Sequence, residues 1–237
     1  MKKTLFVTAA VVAMTAAGAL TGAQTVSAGS ASGKTNAEFT VDAGSGGTDG
    51  GDHGTDGDEN LILNKIPDLH FMLNGANPKV GDIIAGTKLT YADGNVTTKT
   101  NDDAENQGGL IEVLDYRGTN AGWNLSAKVG KPTNGTTTLD GTLTLSAEIS
   151  KFTNATATGP VGGVLTTGGD NVQIWQAKAA VAGTDADHPA TPGEGTGAND
   201  ATVGAGTTFE LAPNASATTG QYDALVTWTL AGTPEMN

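Results

Sequence analysis

The sequence predicts an all-β protein: a single antiparallel β-sandwich or barrel-like domain with long Gly/Asp-rich loops. Two segments alternate apolar and polar residues with period two. Trp123, Leu125, Ala127 and Val129 alternate with Asn124, Ser126 and Lys128, and Leu143, Leu145, Ala147 and Ile149 alternate with Thr144, Ser146 and Glu148. Successive strand side chains point to opposite faces, so each segment reads as a half-buried strand. The 35 glycines, with many Thr, Asn and Asp, supply turns between short strands. No convincing apolar pattern of period 3.6 appears in the mature chain, so few helices are expected.

The first residues read as an export signal. Lys2 and Lys3 form a positive start, and Leu5 to Leu20 are apolar or small without a charge. Val26-Ser27-Ala28 offers the small side chains that a signal peptidase accepts, so 1–28 is expected to be removed. The alternative, a permanent anchor, is disfavoured because Ala, Thr and Gly dilute the apolar run. Cleavage takes away two lysines and no acid, which moves the formal charge from −13 to −15. That charge disfavours nucleic acid and anionic membranes as partners. Without cysteines, the exported domain is held by its core and its ladders, and thiolate chemistry is excluded.

Residues 29–60 read as an acidic, Gly/Asp-rich, disordered linker, with almost nothing apolar between Asp42 and Glu59. A calcium site there is the rival reading, but an EF-hand needs a bidentate Glu at position 12 and flanking helices, and calcium-binding β-rolls need a repeated nonapeptide. Order is expected from Leu61, giving a domain over 61–237. Leu61-Ile62-Leu63 is a short apolar run, and Pro67 breaks any helix in the stretch 66–71. The stretch 74–78 is turn chemistry, and 109–116 is a branched-residue strand expected to be central. Residues 172–178 and 207–211 add strands. The low-complexity stretch 182–206 reads as a flexible loop. In the last strand Tyr222, Ala224, Val226, Trp228 and Leu230 share a face.

Nothing in the sequence assembles an active site. His53 and His70 lie in the linker and beside a proline-led strand, and His188 lies in the second loop. No Gly-x-Ser-x-Gly, His-Glu-x-x-His or phosphate loop occurs. Two carboxylates would suffice for a glycosidase, and Glu112, Asp115 and Asp223 are the acids in ordered context, but turn or solvent-facing carboxylates are the commoner case. The expectation is a binding protein rather than an enzyme, with no cofactor and no metal.

Two of the three tryptophans head a Trp-x-Leu strand, Trp123–Leu125 and Trp228–Leu230. Residues i and i+2 share a face, so each motif is first a core-forming pair. Their surroundings add more. Asp115-Tyr116-Arg117-Gly118, followed by Gly122-Trp123-Asn124-Leu125, resembles the first signature of WxL-domain proteins. The run from Tyr222 to Leu230 resembles the second, and the stretch 66–71 resembles that family's opening strand. The resemblance spans about 61–237 and makes Trp123, Leu125, Trp228 and Leu230 the motif residues, structural or wall-binding. Asp115, Tyr116, Arg117, Gly118, Gly122 and Tyr222 support them.

The resemblance implies a secreted surface protein of low-GC Gram-positive bacteria, held non-covalently on peptidoglycan. WxL-interacting proteins and other surface proteins are its implied companions. No sortase-type motif or hydrophobic stop follows Leu230, so no transmembrane anchor is expected. Two alternatives stay open: a protein–protein docking module whose wall attachment is indirect, and an adhesin for host extracellular matrix. The two tryptophans are expected to be buried rather than to touch ligand.

Overall fold

The computed structural model describes residues 30–41, 60–96, 108–154 and 161–232. The export signal (1–28) and the acidic stretch with its calcium question (42–59) lie outside the described residues. Strands dominate the described residues, helix is almost absent, and the twelve strands form one open sheet. In chain order these are β1 (Ser30–Val41), β2 (Leu61–Lys65), β3 (Leu69–Met72), β4 (Thr87–Asp93), β5 (Leu110–Asp115) and β6 (Trp123–Val129). Then follow β7 (Gly141–Lys151), β8 (Val161–Thr166), β9 (Val172–Ala177), β10 (Gly197–Val203), β11 (Thr208–Leu211) and β12 (Gly220–Ala231). One short helix, α1 (Val80–Ala85), interrupts them.

Hydrogen-bonded neighbours run β2-β5-β10-β7-β11-β4-β3-β1-β12-β6-β9. The long strand β7 is where the sheet turns. One of its edges carries β11 beside 141–144 and β10 beside 147–151, while β8 lies along 142–147. From there β8 packs against β9 without pairing with it, and the Gly163 backbone sits close to Val172 and Ile174. The sheet thus curls over one continuous core.

Alternation decides which side chains enter that core. In β6 the odd positions from Trp123 to Val129 are buried, and in β12 the even positions from Tyr222 to Leu230 are buried. Aromatic rings connect the strands. Phe39 stacks on Tyr222 at 5.4 Å, and edge contacts continue from Phe39 to Phe209 and on to Phe71. Asn74 and Gly75 take positive φ in the tight turn that joins Leu73 to Ala76, which is hairpin chemistry as the sequence suggested.

Three expectations need correction. First, the proposed linker 29–60 contains β1. Ser30–Val41 pairs along its whole length with β12 and inserts its Ala37, Glu38 region beside β3. Thr35, Ala37 and Phe39 point inward although the segment is rich in small and polar residues. Order therefore begins well before Leu61. Second, the β1–β3 contact is parallel, so the sheet is mixed at that one pair. Third, 182–206 is not simply a flexible loop. It contains β10, which sits between β5 and β7, with Asn199 and Ala201 fully buried.

The role of β1 gives a direct prediction. Phe39→Ala removes a fully buried ring from the aromatic stack and should cost about 3–5 kcal/mol in urea unfolding. An unstructured 30–41 segment would give no change.

Candidate functional site

The two Trp-x-Leu motifs lie side by side. Strands β6 and β12 are antiparallel neighbours in a register that sets Leu230 opposite Leu125 and Trp228 opposite Ala127. Both motifs therefore face the same way, and Trp123, Leu125, Trp228 and Leu230 are each fully buried. Neither indole presents surface to a ligand.

Each indole N–H has an internal partner. Trp228 Nε1 donates to Thr35 Oγ1 at 2.9 Å, which ties the last motif to β1. Its register neighbours Gly33 and Ala127 are small, which leaves room for the ring. Trp123 Nε1 donates to the Gly195 carbonyl at 3.2 Å, and its ring meets Trp175 edge-on at 5.0 Å. The same carbonyl accepts from Asn199 Nδ2 at 2.7 Å, and Asn199 also reaches the carbonyls of Val113 and Gly197. Gly195 has φ +72, and a Cβ there would run into the Trp123 ring, so only glycine closes this cap.

The rest of the first signature forms a clamp around Arg117. Its Nε and Nη2 grip both oxygens of Asp115 at 2.9 and 2.8 Å. Nη1 donates to the Gly232 carbonyl at 2.8 Å, and Nη2 also donates to the Gly122 carbonyl at 2.7 Å. Gly122 immediately precedes the first motif, and Gly232 lies two residues past the second. One planar guanidinium thus fastens the start of β6, the end of β12 and the end of β5 together. Both charged side chains are about 96% buried, with exposures of 4% and 3%. Lysine, with a point charge and no fork, cannot make these four bonds.

The remaining supporting residues have separate tasks. Gly118 and Gly122 take positive φ in the connection from clamp to motif, and a Cβ on Gly122 would strike the backbone around Ala177. Tyr222 stacks on Phe39, while its hydroxyl donates to the Thr218 carbonyl and accepts from the Thr218 N–H, both at 3.1 Å. Tyr116 is different. Between the clamp residues its side chain turns outward and is 59% exposed, the one largely exposed aromatic ring among the described residues.

Sequence reasoning missed three members of this arrangement: Thr35, Gly195 and Asn199. Their stretches are small and polar, and only the buried indole N–H groups, each needing an acceptor, hinted that such partners had to exist.

Titratable groups gather elsewhere. His70 Nδ1 and Asp93 Oδ1 are 2.9 Å apart, with Tyr91 on the same strand as Asp93. Burial, aided by the negative charges of Asp93 and Asp68, pushes the Tyr91 hydroxyl up to about 12. Burial would also raise the Asp93 carboxyl, but hydrogen bonds from Asn95 and His70 together with the His70 charge outweigh it, and the group sits below its ordinary value. His188 pairs with Asp185 on the exposed loop. Glu112, the acid nearest the clamp on β5, receives Asn64 Nδ2 from β2.

A family model described as "WxL domain surface cell wall-binding" matches residues 40–234. The chain belongs to the WxL family. It is a cell-wall-binding surface protein, and its two signatures form the seam and clamp described above. Comparisons with curated proteins and with solved structures gave no match. Among the described residues, no helix of the WxL domain is long and apolar enough to cross a membrane.

Three measurements check the site. Trp123→Ala and Trp228→Ala should each cost about 3–5 kcal/mol in unfolding free energy, since each leaves a large core cavity. Arg117→Ala strands a buried carboxylate and two carbonyls and should cost a similar amount, about 3–5 kcal/mol, with Arg117→Lys giving little rescue. For Asp93, the depressed folded value means a contribution present above its ordinary value of 3.8 and lost as pH falls through the folded value. Denaturation of Asp93→Asn should show a deficit near neutral pH that closes below pH 3.8; a deficit unchanged by acid would contradict this.

Proposed function

We propose that this WxL domain attaches its protein non-covalently to peptidoglycan and works there within a multi-protein surface complex, as a binding module rather than a catalyst. The observation that carries this reading is the family match over 40–234, taken with the burial of both motifs it is named for. Buried tryptophans build the scaffold, so recognition falls to the outer surface. Tyr116 is the natural contact. Its ring stands out from the rigid Arg117 clamp, and an exposed aromatic face on a fixed support suits a sugar ring or a peptide stem. Companion surface proteins can add to β9 or β2, which have one hydrogen-bonded neighbour each among the described residues.

Pull-down of the protein on isolated wall sacculi, with and without their protein components, tests the reading. Direct wall recognition predicts equal binding to both. Binding that disappears on protein-free sacculi would favour the docking module, and binding only to host matrix would favour the adhesin. Tyr116→Ala should weaken wall binding roughly tenfold, the value of one aromatic stacking contact of about 1.4 kcal/mol, with thermal stability unchanged. Full binding by that variant would remove Tyr116 from the contact surface.

A further inference from the structure

The outer face of the β1–β12–β6 layer carries a feature that the WxL signatures do not explain. Thr227 in the middle strand is the register partner of Lys34 on one side and of Lys128 on the other. Adjacent strands are about 4.8 Å apart, so the two lysine stems leave the sheet about 10 Å from each other across one threonine. They line a cleft of about 510 Å³ whose other walls are Val129, Gly130, Gly168, Gly169 and the exposed Leu225. No acid is among the lining residues.

That absence counts against chance in a chain with 25 acids and only 12 lysines and arginines. A neighbouring cation is neutralised internally: Lys131, whose stem lies beside Gly168, pairs with Asp140 at 2.5 Å. Among the described residues Lys34 and Lys128 have no such partner, and they flank Thr227 from its two sides. Two like charges across one strand repel, and a sheet that keeps them without a counter-ion gains most when an external anion supplies it.

We propose that the Lys34–Thr227–Lys128 cleft is a binding site for an anionic group of a wall glycan, a phosphate or a carboxylate. The two ammonium groups would converge on the anion above Thr227, whose hydroxyl adds a hydrogen bond, while the exposed Leu225 covers the adjoining carbon skeleton. Four-carbon stems let both ammonium groups swing in from 10 Å apart. The site also answers a difficulty in the wall-binding reading, on which it rests: an acidic protein is repelled by an acidic wall unless contact is made through a local basic notch.

The test compares the intact protein with Lys34→Gln/Lys128→Gln and with a charge-matched control, Lys88→Gln/Lys151→Gln, whose lysines are exposed on β4 and β7 away from the cleft. Binding to wall sacculi should fall at least tenfold for the cleft variant and less than twofold for the control. It should also weaken for the parent as salt rises. Sacculi stripped of phosphodiester polymer by hydrofluoric acid separate the sources. Loss of the difference between parent and cleft variant there identifies phosphate, and a persisting difference identifies carboxylate. Equal losses for cleft and control variants would overturn the proposal.

A second measurement keeps the site distinct from wall binding as such. Glycerol 3-phosphate and N-acetylmuramic acid are titrated into the parent while amide NMR shifts are followed. Shifts clustered at Gly130, Gly168 and Thr227, absent in the cleft variant, support the site even if sacculi are not bound at all. No clustered shift with either probe would overturn it even if sacculi are bound.

Discussion

One guanidinium holds the domain's two defining strands in place. Arg117 is tied to Asp115 at the end of β5, and from there it binds the carbonyl before the first Trp-x-Leu and the carbonyl just past the second. Buried charges are tolerable only when they are paired and hydrogen-bonded, and here the carboxylate and two carbonyls take four of the five guanidinium N–H groups. With β6 and β12 fixed at that end, the Leu125–Leu230 register follows, and both indoles fall on one face of the sheet. The Trp-x-Leu spacing is thus the visible trace of a strand pair whose alignment is imposed from outside the motif.

The indoles in turn recruit distant chain. Trp228 needs an acceptor and finds it 193 residues earlier, at Thr35, while Trp123 finds its own in the Gly195 carbonyl. Both partners come from stretches that look structureless by composition. A buried indole N–H without a partner would be costly, so these weakly apolar segments are drawn into order by the polar needs of strongly apolar ones. The result is a core whose interior edge is written by the tryptophans.

This explains what could be read from the sequence. Strands β6, β7 and β12 were legible because large apolar residues alternate in them without interruption, and the clamp residues were legible through a family resemblance rather than through any visible chemistry. Strand β1 was not, because its inward positions are Gly33, Thr35, Ala37 and Phe39, of which only the last is strongly hydrophobic. Strand β10 was hidden for the same reason: Gly-Ala-Asn-Asp-Ala-Thr-Val becomes a strand through partners on both sides, not through its own propensity. The parallel β1–β3 contact joins strands with most of the acidic stretch between them, beyond the reach of local pattern. For the site, sequence reasoning located the right residues, but depth separates their roles: nine of the ten serve the interior or the backbone, and Tyr116 alone turns to solvent.

The central claim is that the motif tryptophans are structural and take no part in contact with the wall. Hydrogen exchange of the two indole N–H groups, followed by NMR in the native protein, addresses it most directly. Both should exchange only through global unfolding, with the same protection as the most stable backbone amides, and soluble muropeptide should change neither rate beyond its effect on overall stability. An indole that exchanges rapidly in the folded protein, or that becomes selectively protected when muropeptide is added, would contradict the account.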